Sequence, residues 1–173
     1  AKSGNFVLES GTISLNAGSA FGEGCLTVIN NVKILGGKIQ TYGQTHGIYS
    51  VNGDVEISGG NVRAEEFSSS GVYAKRGDIK VGGDAKLYVS SYKRSSTSGI
   101  NAVNKDAKGG NVFFYGGETE VLVPKIGVWA QGDSSAGAGR IGIPGGKLHV
   151  KVSEGSASNV KAAYAQGEQA DDV

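Results

Sequence analysis

From Gly24 onward, apolar and polar residues alternate in short bursts, and no segment keeps a helical period. Alternation with period two predicts β-strands. The bursts also recur as a set. "GCLTVINNVKILGGKI" from Gly24 matches "GIYSVNGDVEISGGNV" from Gly47 without a gap, 23 residues apart. Further units open at Gly71, Gly99 and Gly127, and "AAYAQ" at 162–166 begins one more. "FVLESGTISL" reads as the second half of an earlier unit. Each unit supplies three short strands separated by turns. A lone unit cannot bury its apolar face, but stacked units can, each hydrogen-bonded to the next at ~4.8 Å. The pattern predicts an all-β, single-stranded parallel β-helix, or β-solenoid, with three short strands per coil and about six coils.

Double glycines at 36–37, 59–60, 82–83, 116–117 and 145–146 mark one corner of every coil. A tight bend there calls for φ > 0, which glycine adopts without a Cβ clash. Asn31, Asp54 and Asp78 fall at another corner, where their side chains can cap turns. The extra residues in "EEFSSS", "YKRSSTS", "NKDAKGG" and "GDSSAGAG" are expected as surface loops that leave the register intact.

The gap-free match sorts side chains by face. One inward first-strand column reads Cys25, Ile48, Val72, Ile100, Val128 and Ala163, and a second reads Ser50, Ala74, Ala102, Ala130 and Ala165. Second-strand core pairs are Val32/Ile34, Val55/Ile57, Ile79/Val81, Val112/Phe114 and Ile141/Ile143. Between the inward first-strand columns lies an outward one: Leu26, Tyr49, Tyr73, Asn101, Trp129 and Tyr164. Four of these six are aromatic in a chain that is 8% aromatic, so the column is enriched. Two readings fit it. The rings can stack on one another and brace the tube. Alternatively, Tyr49, Tyr73, Trp129 and Tyr164 form a platform for the C–H faces of sugar rings, with Asn101 hydrogen-bonding a hydroxyl. An outward second-strand column, Lys33, Glu56 and Lys80, predicts cross-coil ion pairing.

Composition narrows the function classes. Lys plus Arg total 17 against 16 for Asp plus Glu, which gives no electrostatic case for nucleic acid. No apolar run reaches about 18 residues, so no membrane-inserting helix is expected. One cysteine and two histidines leave few zinc ligands. A nucleophilic pairing of Cys25 with a histidine is disfavoured, because Cys25 falls in a core column. Acids are scattered, with no paired carboxylates and no phosphate-loop or triad motif, so no catalysis is expected. Asp54 and Asp78 share a column, where calcium between coils is the alternative to simple turn capping.

"DVEISGGNV", "VKILGGKI" and "RIGIPGGKL" resemble the right-handed β-helix repeats of bacterial cell-surface proteins, especially those of Gram-positive anaerobes. The signature there is GD-[IV]-x-I-x-GG-x-[IV] followed by G-[IV]-x-A, and residues 24 to about 152 carry it. The resemblance implies a right-handed helix. One branch of the group is similar in fold to polysaccharide lyases and binds acidic plant polysaccharide, with calcium, without cleaving it. No binding residue transfers position by position. The combined expectation is a β-solenoid domain over 1–173, cut from a longer surface protein, since the chain lacks methionine and its last unit breaks off. Its expected role is non-catalytic polysaccharide binding outside the cell. The alternative is a stalk or adhesin segment contacting a host or cell-surface protein.

Overall fold

The computed structural model describes residues 4–17, 23–43, 45–93, 98–104, 110–132, 137–153 and 161–166. Sixteen strands follow one another in that part of the chain. They are β1 (Phe6–Leu8), β2 (Thr12–Asn16), β3 (Gly24–Val28), β4 (Val32–Ile34), β5 (Lys38–Tyr42) and β6 (His46–Ser50). Then come β7 (Val55–Ile57), β8 (Asn61–Glu65), β9 (Ser70–Ala74), β10 (Ile79–Val81) and β11 (Lys86–Ser90). The last are β12 (Ser98–Asn104), β13 (Val112–Val123), β14 (Ile126–Gly132), β15 (Ile141–Val152) and β16 (Lys161–Gln166). No helix occurs among the described residues.

The strands wind as a parallel β-solenoid of about five turns. First strands form one sheet, in the order β3-β6-β9-β12-β14-β16. Second strands (β1, β4, β7, β10) and third strands (β2, β5, β8, β11) line the other two sides. In the later turns β13 and β15 run through the corner and serve as second and third strand at once, which joins those sides into one sheet.

The core is a set of vertical columns. Val32, Val55, Ile79 and Val112 stack in register and are fully buried, as are Ile34, Ile57 and Val81, with Phe114 next above. The second glycine of each corner takes the left-handed conformation: φ is +78° at Gly37 and Gly60, +59° at Gly83, +71° at Gly117 and +78° at Gly146. A different glycine column opens the first strands. A Cβ on Gly71, Gly99 or Gly127 would collide with Cγ1 of Val89, Val121 or Val150. Those third-strand valines occupy the space a side chain would need, so the tube closes tightly only with glycine there.

The other corner is held by side chains. Asn5 Oδ1 accepts the Asn31 amide (3.1 Å), Asn31 Oδ1 that of Asp54 (2.9 Å), and Asp54 Oδ1 that of Asp78 (2.9 Å). Asp78 Oδ1 accepts the Asn111 amide (2.9 Å), and Asn111 Oδ1 that of Arg140 (3.1 Å). Each capping residue thus satisfies a backbone donor one coil away. Of the carboxylates considered for calcium, Asp54 Oδ1 and Asp78 Oδ1 serve this ladder, and Asp54 Oδ2 accepts from Lys80 at 3.3 Å.

Four expectations need correction. First, β3 pairs with β6 as Leu26↔Ile48, Thr27↔Tyr49 and Val28↔Ser50. Leu26 therefore belongs to the core column and Thr27 to the outward one. The turn from Val28 to Val32 is one residue shorter than that from Ser50 to Val55, and a one-residue slip reverses every face. Cys25 is half-buried, and its thiol lies 3.4 Å from the Tyr42 and Gly43 carbonyls. Second, Ile141 is half-buried and Ile143 is 55% exposed. The β13–β15 register shifts between Phe113 and Tyr115, where Pro144 can donate no ladder bond, and the bulge turns Ile143 outward. Third, "EEFSSS" is not wholly a surface loop: Glu66 adopts φ +54° and Phe67 is fully buried. Fourth, Lys33, Glu56 and Lys80 do share the outward column and Lys33 pairs with Glu56 at 3.5 Å, but the cross-coil partner of Lys80 is Asp54 rather than Glu56. Most of the other expected loops, and the C-terminal stretch 167–173, lie outside the described residues.

Gly99→Ala should destabilise the fold by about 1–3 kcal/mol, the usual cost of overpacking a filled site. Gly4→Ala, with nothing within 4 Å of its would-be Cβ, should leave the melting temperature unchanged. Thr119 interrupts the apolar column Ile39, Val62, Leu87, Leu148, and its buried hydroxyl has no partner. Thr119→Val should raise the urea midpoint, by removing a desolvation cost of about 1–3 kcal/mol.

Candidate functional site

The outward first-strand column is in register from Tyr49 through Tyr73, Asn101 and Trp129 to Tyr164. Its side chains do not form one open strip. Tyr49 is 3% exposed and stacks on Tyr73, with ring centroids 5.2 Å apart and planes 11° from parallel. The His46 ring lies 5.0 Å from Tyr49 and 4.7 Å from Tyr73. Asn101 is buried, and its Oδ1 accepts from Gln131 Nε2 at 2.9 Å. Trp129 and Tyr164 are half-buried and form a separate tilted pair, 6.0 Å apart at 32°. Lys161 Nζ sits 3.4 Å above the Tyr164 ring, a cation–π contact. The column therefore divides into two aromatic clusters separated by Asn101. At the Tyr49–Tyr73 end the rings are spent on each other and on His46.

Burial dominates the electrostatics of that cluster. It pushes the Tyr49 hydroxyl up to about 12, with Glu23 adding to the effect. It holds His46 down at about 4, while a backbone bond to Ser70 works the other way. His46 Nδ1 is buried without a partner. Burial likewise raises the Cys25 thiol, which weakens it as a nucleophile.

The third-strand side carries a feature absent from the expectations. A groove of about 400 Å³ crosses four successive coils, lined by Asn61 and Arg63, Lys86 and Tyr88, Glu118 and Glu120, Lys147 and His149. Three coil steps of ~4.8 Å give it a length of ~14 Å along the axis. Alternation on the third strands aims these side chains outward while Val62, Leu87 and Thr119 face the core. The central column reads Gln40, Arg63, Tyr88, Glu120, His149.

One end of the groove is rigidly organised. Arg63 grips Glu65 through two bonds, Nη2–Oε1 at 2.9 Å and Nε–Oε2 at 3.2 Å, and Gln40 Nε2 donates to the same carboxylate at 3.1 Å. The guanidinium also lies 4.3 Å from the centre of the Tyr88 ring. Hydrogen bonding from Arg63 holds Glu65 below the usual carboxylate range, and Glu65 in turn raises Arg63. At the other end Lys147 Nζ meets Glu118 Oε1 at 3.1 Å and lowers its pKa. The arrangement offers fixed donors, fixed acceptors and an aromatic ring. Such a surface can bind a polyhydroxylated chain. Glu118, held ionised, is not tuned as a proton donor. Among the described residues no three His, Cys, Asp or Glu side chains are grouped to hold a metal ion.

The groove column was open to the same repeat comparison that produced the aromatic column. "KIQTY", "NVRAE", "KLYVS", "ETEVL" and "KLHVK" align on their double glycines, with two extra residues, Asp84 and Ala85, before Lys86. Its mixed residue types, unlike a run of aromatics, raise no signal. Set against protein-family models, curated proteins and solved structures, the chain matches none.

His46 makes stability depend on pH. Its folded pKa, about 4, lies below the ordinary 6.5, so the unfolded chain binds the proton more tightly. Its contribution is complete above pH 6.5 and is lost as pH falls towards 4. The full loss is about 3 kcal/mol. Urea midpoints taken across this window should fall for the natural protein and flatten for His46→Phe.

Proposed function

We propose that this solenoid is a non-catalytic polysaccharide-binding domain of a bacterial surface protein, and that the sugar chain lies along the third-strand groove. One observation carries the reading: polar side chains of four successive coils line a single groove parallel to the axis. Sugars of an extended polysaccharide repeat at roughly 5 Å, close to the ~4.8 Å spacing of the coils. Consecutive sugars would therefore meet equivalent positions on consecutive coils. Tyr88 offers a ring for the C–H face of a sugar, and Asn61, Arg63, Glu120 and His149 offer partners for hydroxyls.

A second reading, the stalk or adhesin segment, is favoured by the Tyr49–Tyr73 stack. Rings that pack on each other one coil apart brace a rod and leave less surface for a ligand.

A glycan array, run with and without calcium, tests the first reading. Tyr88→Ala should weaken the strongest hit about tenfold or more, since stacking on one ring is worth ~1–3 kcal/mol and 1.4 kcal/mol is a decade. Melting should change little. If Trp129→Ala abolishes binding while Tyr88→Ala does not, the sugar sits on the first-strand side. An array with no hit in either condition supports the stalk.

A further inference from the structure

The second-strand side has an exposed pattern that neither the core nor the groove uses. Its outward column reads Val7, Lys33, Glu56, Lys80, Phe113. The next outward positions, each following a core residue, include Leu35, Ser58, Gly82 and Tyr115. Large apolar groups stand at both ends: Val7 is 51% and Leu35 44% exposed at one, Tyr115 and Ile143 each 55% at the other. Phe113 and Tyr115 form a tilted ring pair 5.7 Å apart. Small residues, Ser58 and Gly82, lie between the ends, and the charges in the middle alternate in sign. Exposed apolar groups gathered on one side of a soluble protein point to an interface.

We propose that this side binds a second copy of the chain, face to face and antiparallel, about a two-fold axis between Glu56 and Lys80. In a two-fold interface, if one residue contacts another, the reverse contact is made too. With the axis at that height, Glu56 of each copy faces Lys80 of the other, so the exposed within-chain pairs Lys33–Glu56 and Lys80–Asp54 are shared across the interface. Leu35 then faces Tyr115, and Lys33 faces the Phe113 ring. Moving the axis onto Glu56 would set Glu56 against itself and Lys33 against Lys80, and like charges oppose that register. The bulge at Pro144 fits the same use, because it turns Ile143 out at the same end of the strip as Tyr115. Exposed ion pairs add little energy by themselves, so here they set the register while the apolar ends supply the attraction. The strip is narrow, which places the dimer among small, weak interfaces. The groove lies beyond the double-glycine corner on the adjoining side and stays open in the dimer.

Cross-linking tests the register. In a Cys25→Ser background, Leu35→Cys and Tyr115→Cys sit three coils, ~14 Å, apart within one chain, too far for an internal disulfide. Mild oxidation of the double variant should give a covalent dimer, whereas each single variant should stay monomeric. Sedimentation supplies a second readout. The natural protein should dimerise by about 100 µM, Glu56→Lys should weaken this at least tenfold, and Glu56→Lys/Lys80→Glu should restore it. Circular dichroism confirms that each variant is folded. A natural protein monomeric at about 1 mM would overturn the proposal. So would a folded double charge swap that fails to restore the dimer, or single cysteine variants that cross-link as well as the pair. A monomer whose Tyr115 ring is shielded by an array-positive polysaccharide would also overturn it and assign the side to sugar. Tyr88→Ala should not affect dimerisation, so failure here and failure of the groove reading are separable.

Discussion

Everything in this molecule depends on the hydrogen bonding of each coil to the next in parallel register. Among the described residues the solenoid has no packing layer outside its own wall. A residue's neighbours are its sequence neighbours, its counterparts one coil up and one coil down, and, if it points inward, the side chains across the tube. That is why apolar residues form columns, why the same corner needs a left-handed glycine each time, and why the side-chain ladder from Asn5 to Asn111 repeats one bond. A column tolerates little variation, because a misfit is felt by the coils on both sides. Thr119 between Leu87 and Leu148 departs from this rule in the core, and its hydroxyl is left without a partner.

The same constraint decides what can be read from sequence. Columns are legible because they repeat: the Val32–Val55–Ile79 core, the double-glycine corners and the Tyr49–Tyr164 register all follow from spacing. Turn lengths are not constrained by stacking, and one residue less between Val28 and Val32 put Cys25 and Leu26 on the wrong sides. Pro144 broke the ladder at Ile143, an effect that the apolar alternation of "IGI" conceals. Phe67 went inward because a single left-handed residue, Glu66, redirects the chain, and no repeat announces it.

The site was legible only in part, for a related reason. Register shows which residues share a column but not how open the column is. Tyr49 occupies an outward position and is nonetheless 3% exposed, because its neighbours His46 and Tyr73 close over it. The groove depends on side-chain contacts across columns, such as Arg63 with both Glu65 and Tyr88. Residue types along one column do not reveal such contacts. The inner wall of the tube is governed by repetition, and the outer wall is free to vary. Recognition chemistry is therefore expected where the repeat is least regular.

The bulge at Pro144 has a mechanical consequence. Backbone bonds between coils run along the solenoid axis, so tension applied to the two ends loads the coil interfaces in series. Each interface carries the same force, and the one with the fewest aligned bonds yields first. Between β13 and β15 the register is interrupted from Phe113 to Glu118. Yet β13 and β15 still pair over more positions than the separate second and third strands of each earlier step, so the longer ladder carries the bulge, and under stretch the coils whose second and third strands pair only as short separate runs should part first.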